Sequence, residues 1–131
     1  MRVSLTTIFS SVLCTVLVSS QDLNTAKCVD SYGIPSAESE PGSFINTDCT
    51  NDGGAHGAIN VAVNKLGIGN VYGVTKQVVA GINYVVFLTS DERTYRVPVY
   101  EDLEGNYSLQ EDSICYDGLP SAVVTKRACD Q

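Results

Sequence analysis

The chain has 131 residues and a net charge of −7. Its length suits one domain with one modest core. The acidic balance argues against nucleic acid or an anionic membrane as partner and leaves protein partners open.

Met1 and Arg2 precede the apolar stretch Val3–Val18, which is interrupted mainly by Ser and Thr, and the small residues Ser19 and Ser20 follow. This pattern predicts a secretory signal peptide over residues 1–20, cleaved after Ser20. The apolar core is too short, and lacks the following charges, for a membrane anchor. The expected product is secreted and extracellular, with no membrane attachment once the leader is lost. Cleavage also removes Cys14, leaving Cys28, Cys49, Cys115 and Cys129. Four cysteines in a small secreted chain imply two disulfides, with three pairings open. No Cys-x-x-Cys pair occurs and His56 is the only histidine, so neither a zinc site nor any other metal or cofactor is expected.

Residues 21–51 carry Gly33, Pro35, Pro41 and Gly42 among polar side chains, which predicts an extended N-terminal segment tied down by Cys28 and Cys49. The main domain is expected over 52–131. Ala55, Ala58, Ile59, Ala62, Val63 and Leu66 recur on one helical face. Asp52 or Asn51 is suited to cap that helix, and Gly67 to end it. Its small alanines allow close approach to a sheet. Strands follow at 70–79 and 82–89, joined at Ala80-Gly81, with apolar residues on both faces as in a mid-sheet pair. Ser90–Arg93 forms a polar turn. Tyr95, Val97 and Val99 alternate as a third strand, in which Pro98 must face an edge or a bulge. Glu101–Asn106 is a second hairpin turn and Tyr107–Leu109 a fourth strand. Residues 112–131 form a cysteine-bearing tail with Ala122–Val124 as a last strand. The order is that of an α+β domain.

Nothing in the chain assembles a catalytic set. His56 begins the helix, the cysteines are expected to be oxidised, and Glu101 and Asp102 are neighbours in a polar turn. No glycine-rich loop leads into a phosphate-binding helix. The chain is read as a non-enzyme.

Gln77-Val78-Val79-Ala80-Gly81, continued by Ile82-Asn83-Tyr84, resembles the Gln-x-Val-x-Gly signature of the cystatins, inhibitors of papain-like cysteine proteases. With the helix before it and the strands after it, the resemblance covers roughly residues 52–111. It implies a cystatin-like fold, an antiparallel β-sheet of four to five strands wrapped around one α-helix. It also implies a wedge built from an N-terminal trunk glycine, the signature hairpin and the second hairpin turn. Gln77, Val78, Val79, Ala80 and Gly81 match the signature directly. Gly42 stands near the usual distance of the trunk glycine. Leu103 matches the leucine of the Leu-Pro pair that intracellular stefins carry in the second turn, with Glu104 in place of the proline. The Pro-Trp of secreted cystatins has no counterpart, since the chain lacks Trp.

The resemblance therefore implies a secreted, reversible, monomeric inhibitor whose partner is a papain-like cysteine protease. On this reading Gln77 offers hydrogen bonds to the protease, and Gly81→Trp abolishes inhibition without unfolding the domain. The alternative is a non-inhibitory, cystatin-fold extracellular binding protein. Asn106-Tyr107-Ser108 is an N-glycosylation sequon, and a glycan at Asn106 would stand beside the second turn. On the implied sheet order, the N-terminal segment and the tail flank opposite edges, which favours local bridges Cys28–Cys49 and Cys115–Cys129.

Overall fold

The computed structural model describes residues 25–36, 40–90 and 93–117. The expected signal peptide, the middle of the expected Ser90–Arg93 turn, the expected Ala122–Val124 strand and Cys129 lie outside the described residues. In chain order the elements are β1 (Ala26–Lys27), β2 (Ile45–Asn46), α1 (Gly53–Leu66), β3 (Val71–Val79), β4 (Gly81–Ser90), β5 (Arg93–Glu101) and β6 (Tyr107–Leu109). A short 3₁₀ turn (Glu111–Ser113) and β7 (Cys115–Asp117) follow.

The helix forms where its apolar spacing and caps place it. Asp52 is extended and accepts from the backbone N–H groups of Gly54 and Ala55 at 3.0 and 3.2 Å. At the other end Gly67 adopts φ +70°, and its N–H donates to the Val63 carbonyl at 2.8 Å. Ala55, Ala58, Ala62 and Leu66 are buried against Val74, Tyr84, Val86, Leu88, Val97 and Val99, the inner face of β3, β4 and β5. Three alanines on one stripe bring the helix backbone close to the sheet.

Among the described residues the sheet has seven strands in the order β1-β7-β5-β4-β3-β2, with β6 beside β5. This corrects the expectation of four to five antiparallel strands. The β1–β7 pair is parallel, so the sheet is mixed. Of the strands not expected, the N-terminal segment contributes a two-residue strand to each end of the strand order, and the tail contributes β7. Both β6 and β7 lie along the outer side of β5, pairing with residues 99–101 and 94–96. Pro98 falls in the gap between them. Its carbonyl accepts from the Gln110 N–H at 3.0 Å, so its donorless nitrogen faces that gap and breaks no ladder bond.

Alternation along β4 sends Val85 and Phe87 to the face away from the helix, where they pack with Phe44, Ile34 and Tyr72 in a second core. The described residues between β1 and β2 cover this face. Gly33, at φ +85°, lies directly on Val85: a Cβ there would sit 2.7–2.9 Å from the valine side chain. The Thr75 hydroxyl donates to the Gly33 carbonyl at 2.6 Å. Both faces of the central strands are thus buried, one by the helix and one by the N-terminal segment.

The cysteine pairing differs from the expected local bridges. Cys28 is bonded to Cys115 with 4.9 Å between the Cα atoms, which excludes both Cys28–Cys49 and Cys115–Cys129. The cause is topological. β1 runs parallel to β7 with Ala26 opposite Cys115, and the Cys28 N–H donates to the Tyr116 carbonyl at 2.7 Å. The start of the N-terminal segment and the start of the tail therefore share one edge. Cys49 is buried in the helix-side core and is also disulfide-bonded.

Candidate functional site

The β3–β4 hairpin closes as tightly as a hairpin can. Val79 pairs with Gly81, leaving only Ala80 at the tip. Gly81 takes φ +106°, a backbone conformation L side chains rarely adopt. A Cβ there would meet the Glu101 carbonyl oxygen and the Tyr100 hydroxyl, each at 2.5 Å. A bulky residue at 81 thus pushes β4 away from β5, and Gly81→Trp cannot leave the domain intact as the sequence suggested. Tyr100 reaches over this glycine, and its hydroxyl donates to the Ala80 carbonyl. Val78 and Val79 are 63% and 47% exposed, and Ala80 is exposed between the strands. Because successive strand residues alternate, the two valines show apolar surface on both flanks of the tip.

The second turn lies beside the first because Ile82 pairs with Glu101, so β5 leaves the sheet at the hairpin end. Asp102 builds this turn. Its Oδ1 accepts from the backbone N–H groups of Glu104 and Asn106 at 2.9 and 2.8 Å, and its carbonyl accepts from Gly105 at 3.0 Å. The Asn106 N–H bond leads in holding this carboxyl below its ordinary value, against a smaller desolvation effect. Leu103 stands at the apex, 82% exposed. Asn106 is exposed on the same turn, and its side-chain amide donates to Asp102 Oδ2 at 3.4 Å.

The trunk arrives at the same end from the other side. β2 is antiparallel to β3 with Ile45 opposite Lys76, so the residues before β2 run along Gln77 and the valines. Gln77 Nε2 donates to the exposed Gly42 carbonyl at 2.8 Å, and Gln77 Oε1 accepts from Asn83 Nδ2 at 2.9 Å. Gly42, Gln77–Gly81 and Leu103 are therefore brought to one end of the sheet. Both ends of the Gln77 amide are thus engaged within the chain, by Gly42 and by Asn83.

Beneath this end a polar layer ties the helix start to the strands. Asp52 Oδ2 accepts from Thr47 Oγ1 at 2.7 Å and from Lys76 Nζ at 2.9 Å. Burial pushes the Asp52 carboxyl up, but the Thr47, Lys76 and Ala55 interactions together outweigh it and hold it below its ordinary value. Tyr84, buried under the helix, donates to Glu101 Oε1 at 3.3 Å, and Tyr107 donates to the Gly54 carbonyl at 2.9 Å. Burial, with the charges of Asp52 and Glu101, drives the Tyr84 phenol far above its ordinary value. It stays a neutral donor at any physiological pH.

Sequence reasoning found the hairpin and the turn but missed Tyr100 and Asn83, whose roles depend on cross-strand register. A groove of about 700 Å³ opens on the face away from the helix, between β1 with its disulfide and Arg96, Pro98, Tyr100 and Asn83. Among the described residues, no group of three His, Cys, Asp or Glu is placed to hold a metal ion. Among the same residues, no helix is long and apolar enough to cross a membrane. No family model matches the chain, and no curated protein or solved structure does either.

Proposed function

We propose that the chain is a secreted, reversible inhibitor of papain-like cysteine proteases that fills the active-site cleft with the Gln77–Gly81 hairpin. The reading rests on the signature Gln77-Val78-Val79-Ala80-Gly81 and is supported by one geometric observation: trunk, hairpin tip and second turn meet at one end of the sheet. Within the α+β architecture, the helix packed across β3, β4 and β5 is compatible with a cystatin-like plan. The surface offered is apolar, through Val78, Val79 and Leu103, and it carries no nucleophile. Such a wedge acts by exclusion. It needs no covalent step, and a rigid hairpin loses little conformational freedom on docking. Gly42 adds backbone beside the tip, and the domain acts as a monomer.

The test is inhibition of papain and of a cathepsin L-type enzyme by the mature, oxidised protein, with and without enzymatic removal of any glycan at Asn106. Ala80→Trp and Val79→Asp alter the exposed tip, Val79 being 47% exposed. Inhibition that both variants abolish supports the wedge. Inhibition untouched by either moves the contact surface elsewhere. Inactivity of the parent protein in both glycan states favours the second reading, a non-inhibitory extracellular binding protein.

A further inference from the structure

Gln77, Asn83 and Tyr100 form a single row across three strands. Gln77 is opposite Asn83 in the β3–β4 pair, and Asn83 is opposite Tyr100 in the β4–β5 pair. All three occupy the face away from the helix, together with Thr75, Val85 and Arg96. The row has a direction. Asn83 Nδ2 donates to Gln77 Oε1, which orients the glutamine amide so that Nε2 donates to the Gly42 carbonyl. At the other end of the row, the Tyr100 hydroxyl donates to the Ala80 carbonyl. One end holds the trunk and the other holds the tip.

We propose that Gln77, Asn83 and Tyr100 are positioning residues that set the trunk and the hairpin tip in their docking geometry before any partner arrives. The inference deepens the inhibitor reading and rests on it for its consequence in binding. Gln77 acts through Gly42 instead of touching the protease. Without the row, the trunk swings free of β3 and Ala80 loses its only side-chain hydrogen bond among the described residues. The docking-competent fraction then falls, and association slows by that fraction. A residue that touches the partner behaves differently, because its loss mainly speeds dissociation.

Gln77→Glu keeps the acceptor for Asn83 but cannot donate to Gly42. Tyr100→Phe keeps the ring and removes the hydroxyl. Each is compared with the parent by amide hydrogen exchange on the free protein and by association and dissociation rates with papain. Gln77→Glu is expected to raise exchange over residues 42–46, and Tyr100→Phe over 80–82. Each should slow association about tenfold with little change in dissociation. Val79→Asp, a contact change, should leave exchange unaltered. Unchanged exchange in both row variants overturns the proposal. So does faster dissociation at unchanged association for Gln77→Glu, which would make it a contact residue. If the parent inhibits nothing, the inhibitor reading fails, while the exchange data still decide whether the row positions trunk and tip.

Discussion

Arg96 grips the carboxylate of Asp117 through two nitrogens, Nη2 at 2.6 Å and Nε at 3.1 Å. Its remaining amino group donates to the carbonyls of Asp30 and Tyr32 at 2.7 and 3.0 Å. One buried side chain thereby joins β5, β7 and the segment that covers the outer face. Arg96→Ala strands a partly buried carboxylate and two carbonyls, and should cost about 2–3 kcal/mol, less than a fully buried pair because Asp117 is partly solvated. Arg96→Lys should recover little, since an ammonium cannot reproduce the fork. Urea denaturation reads both variants. A loss below about 0.5 kcal/mol for the alanine variant would show that this junction contributes little.

Gly33 makes a second, independent prediction about the same segment. Alanine at this position meets both the φ of +85° and the Val85 side chain at 2.7–2.9 Å. A loss of about 2–4 kcal/mol is expected from backbone strain and overlap together. Val85→Ala removes the two γ-methyl overlaps but keeps the Cβ at 2.9 Å and leaves the strain. The double variant should therefore be more stable than the sum of the single losses predicts. Strict additivity would mean that the segment does not lie on Val85.

Acid stability should report on Asp52. Its folded-state carboxyl lies below the ordinary value because Thr47, Lys76 and Ala55 together outweigh burial. A depressed carboxyl contributes stability that is complete above its unfolded value, about pH 4, and is lost as pH falls through the folded value. Asp52→Asn retains a good helix cap but removes the charge facing Lys76. Thermal unfolding of this variant between pH 2 and 6 should show a shallower acid decline than the parent. Asp52→Ala should cost a further 1–2 kcal/mol or so at neutral pH through loss of the cap. An identical acid slope in parent and Asp52→Asn would contradict the assignment.

The Cys28–Cys115 bond spans 87 residues of sequence. Replacing both by Ser should destabilise the protein by about 2–4 kcal/mol, chiefly by releasing the unfolded chain. The loss should appear first at β1, whose two residues pair with β7 alone among the described strands, and beside Arg93, which stacks at 4.0 Å over the Tyr116 ring. Peptide mapping of the non-reduced protein should recover Cys28 joined to Cys115. A Cys28–Cys49 peptide would refute the parallel β1–β7 pairing.

The helix and both hairpins were legible in the sequence because their signals are local. Six apolar residues at helical spacing, an aspartate before them and a glycine after them define α1 within 16 residues, Asp52 to Gly67. The tip and the Asp102 turn are likewise written in adjacent residues. What stayed hidden depends on long-range pairing. Residues 21–51 look irregular, yet Ile34 and Phe44 complete the outer core, and Cys28 finds Cys115 only through a strand pair of two residues. One signal pointed there. Val85 and Phe87 are apolar on the face the helix does not reach, and a face of that kind needs a cover. The composition of the N-terminal segment gave no hint that it supplied one. Gln77 and Gly42, 35 residues apart, could be joined only after β2 was placed on β3.

The two-residue strand β1 sits beside the last described strand. A ribosome therefore releases one half of this pair long before the other. Until residue 115 emerges, Cys28 has no native partner, while Cys49 is already available to it. The outer core meanwhile lacks the anchoring that holds its cover in place. Contacts this distant in sequence form late and slowly. The nascent chain thus passes through an interval in which a Cys28–Cys49 bridge is the accessible mistake. A chain that makes that bridge reaches the Cys28–Cys115 pairing only by thiol exchange once residue 115 is available.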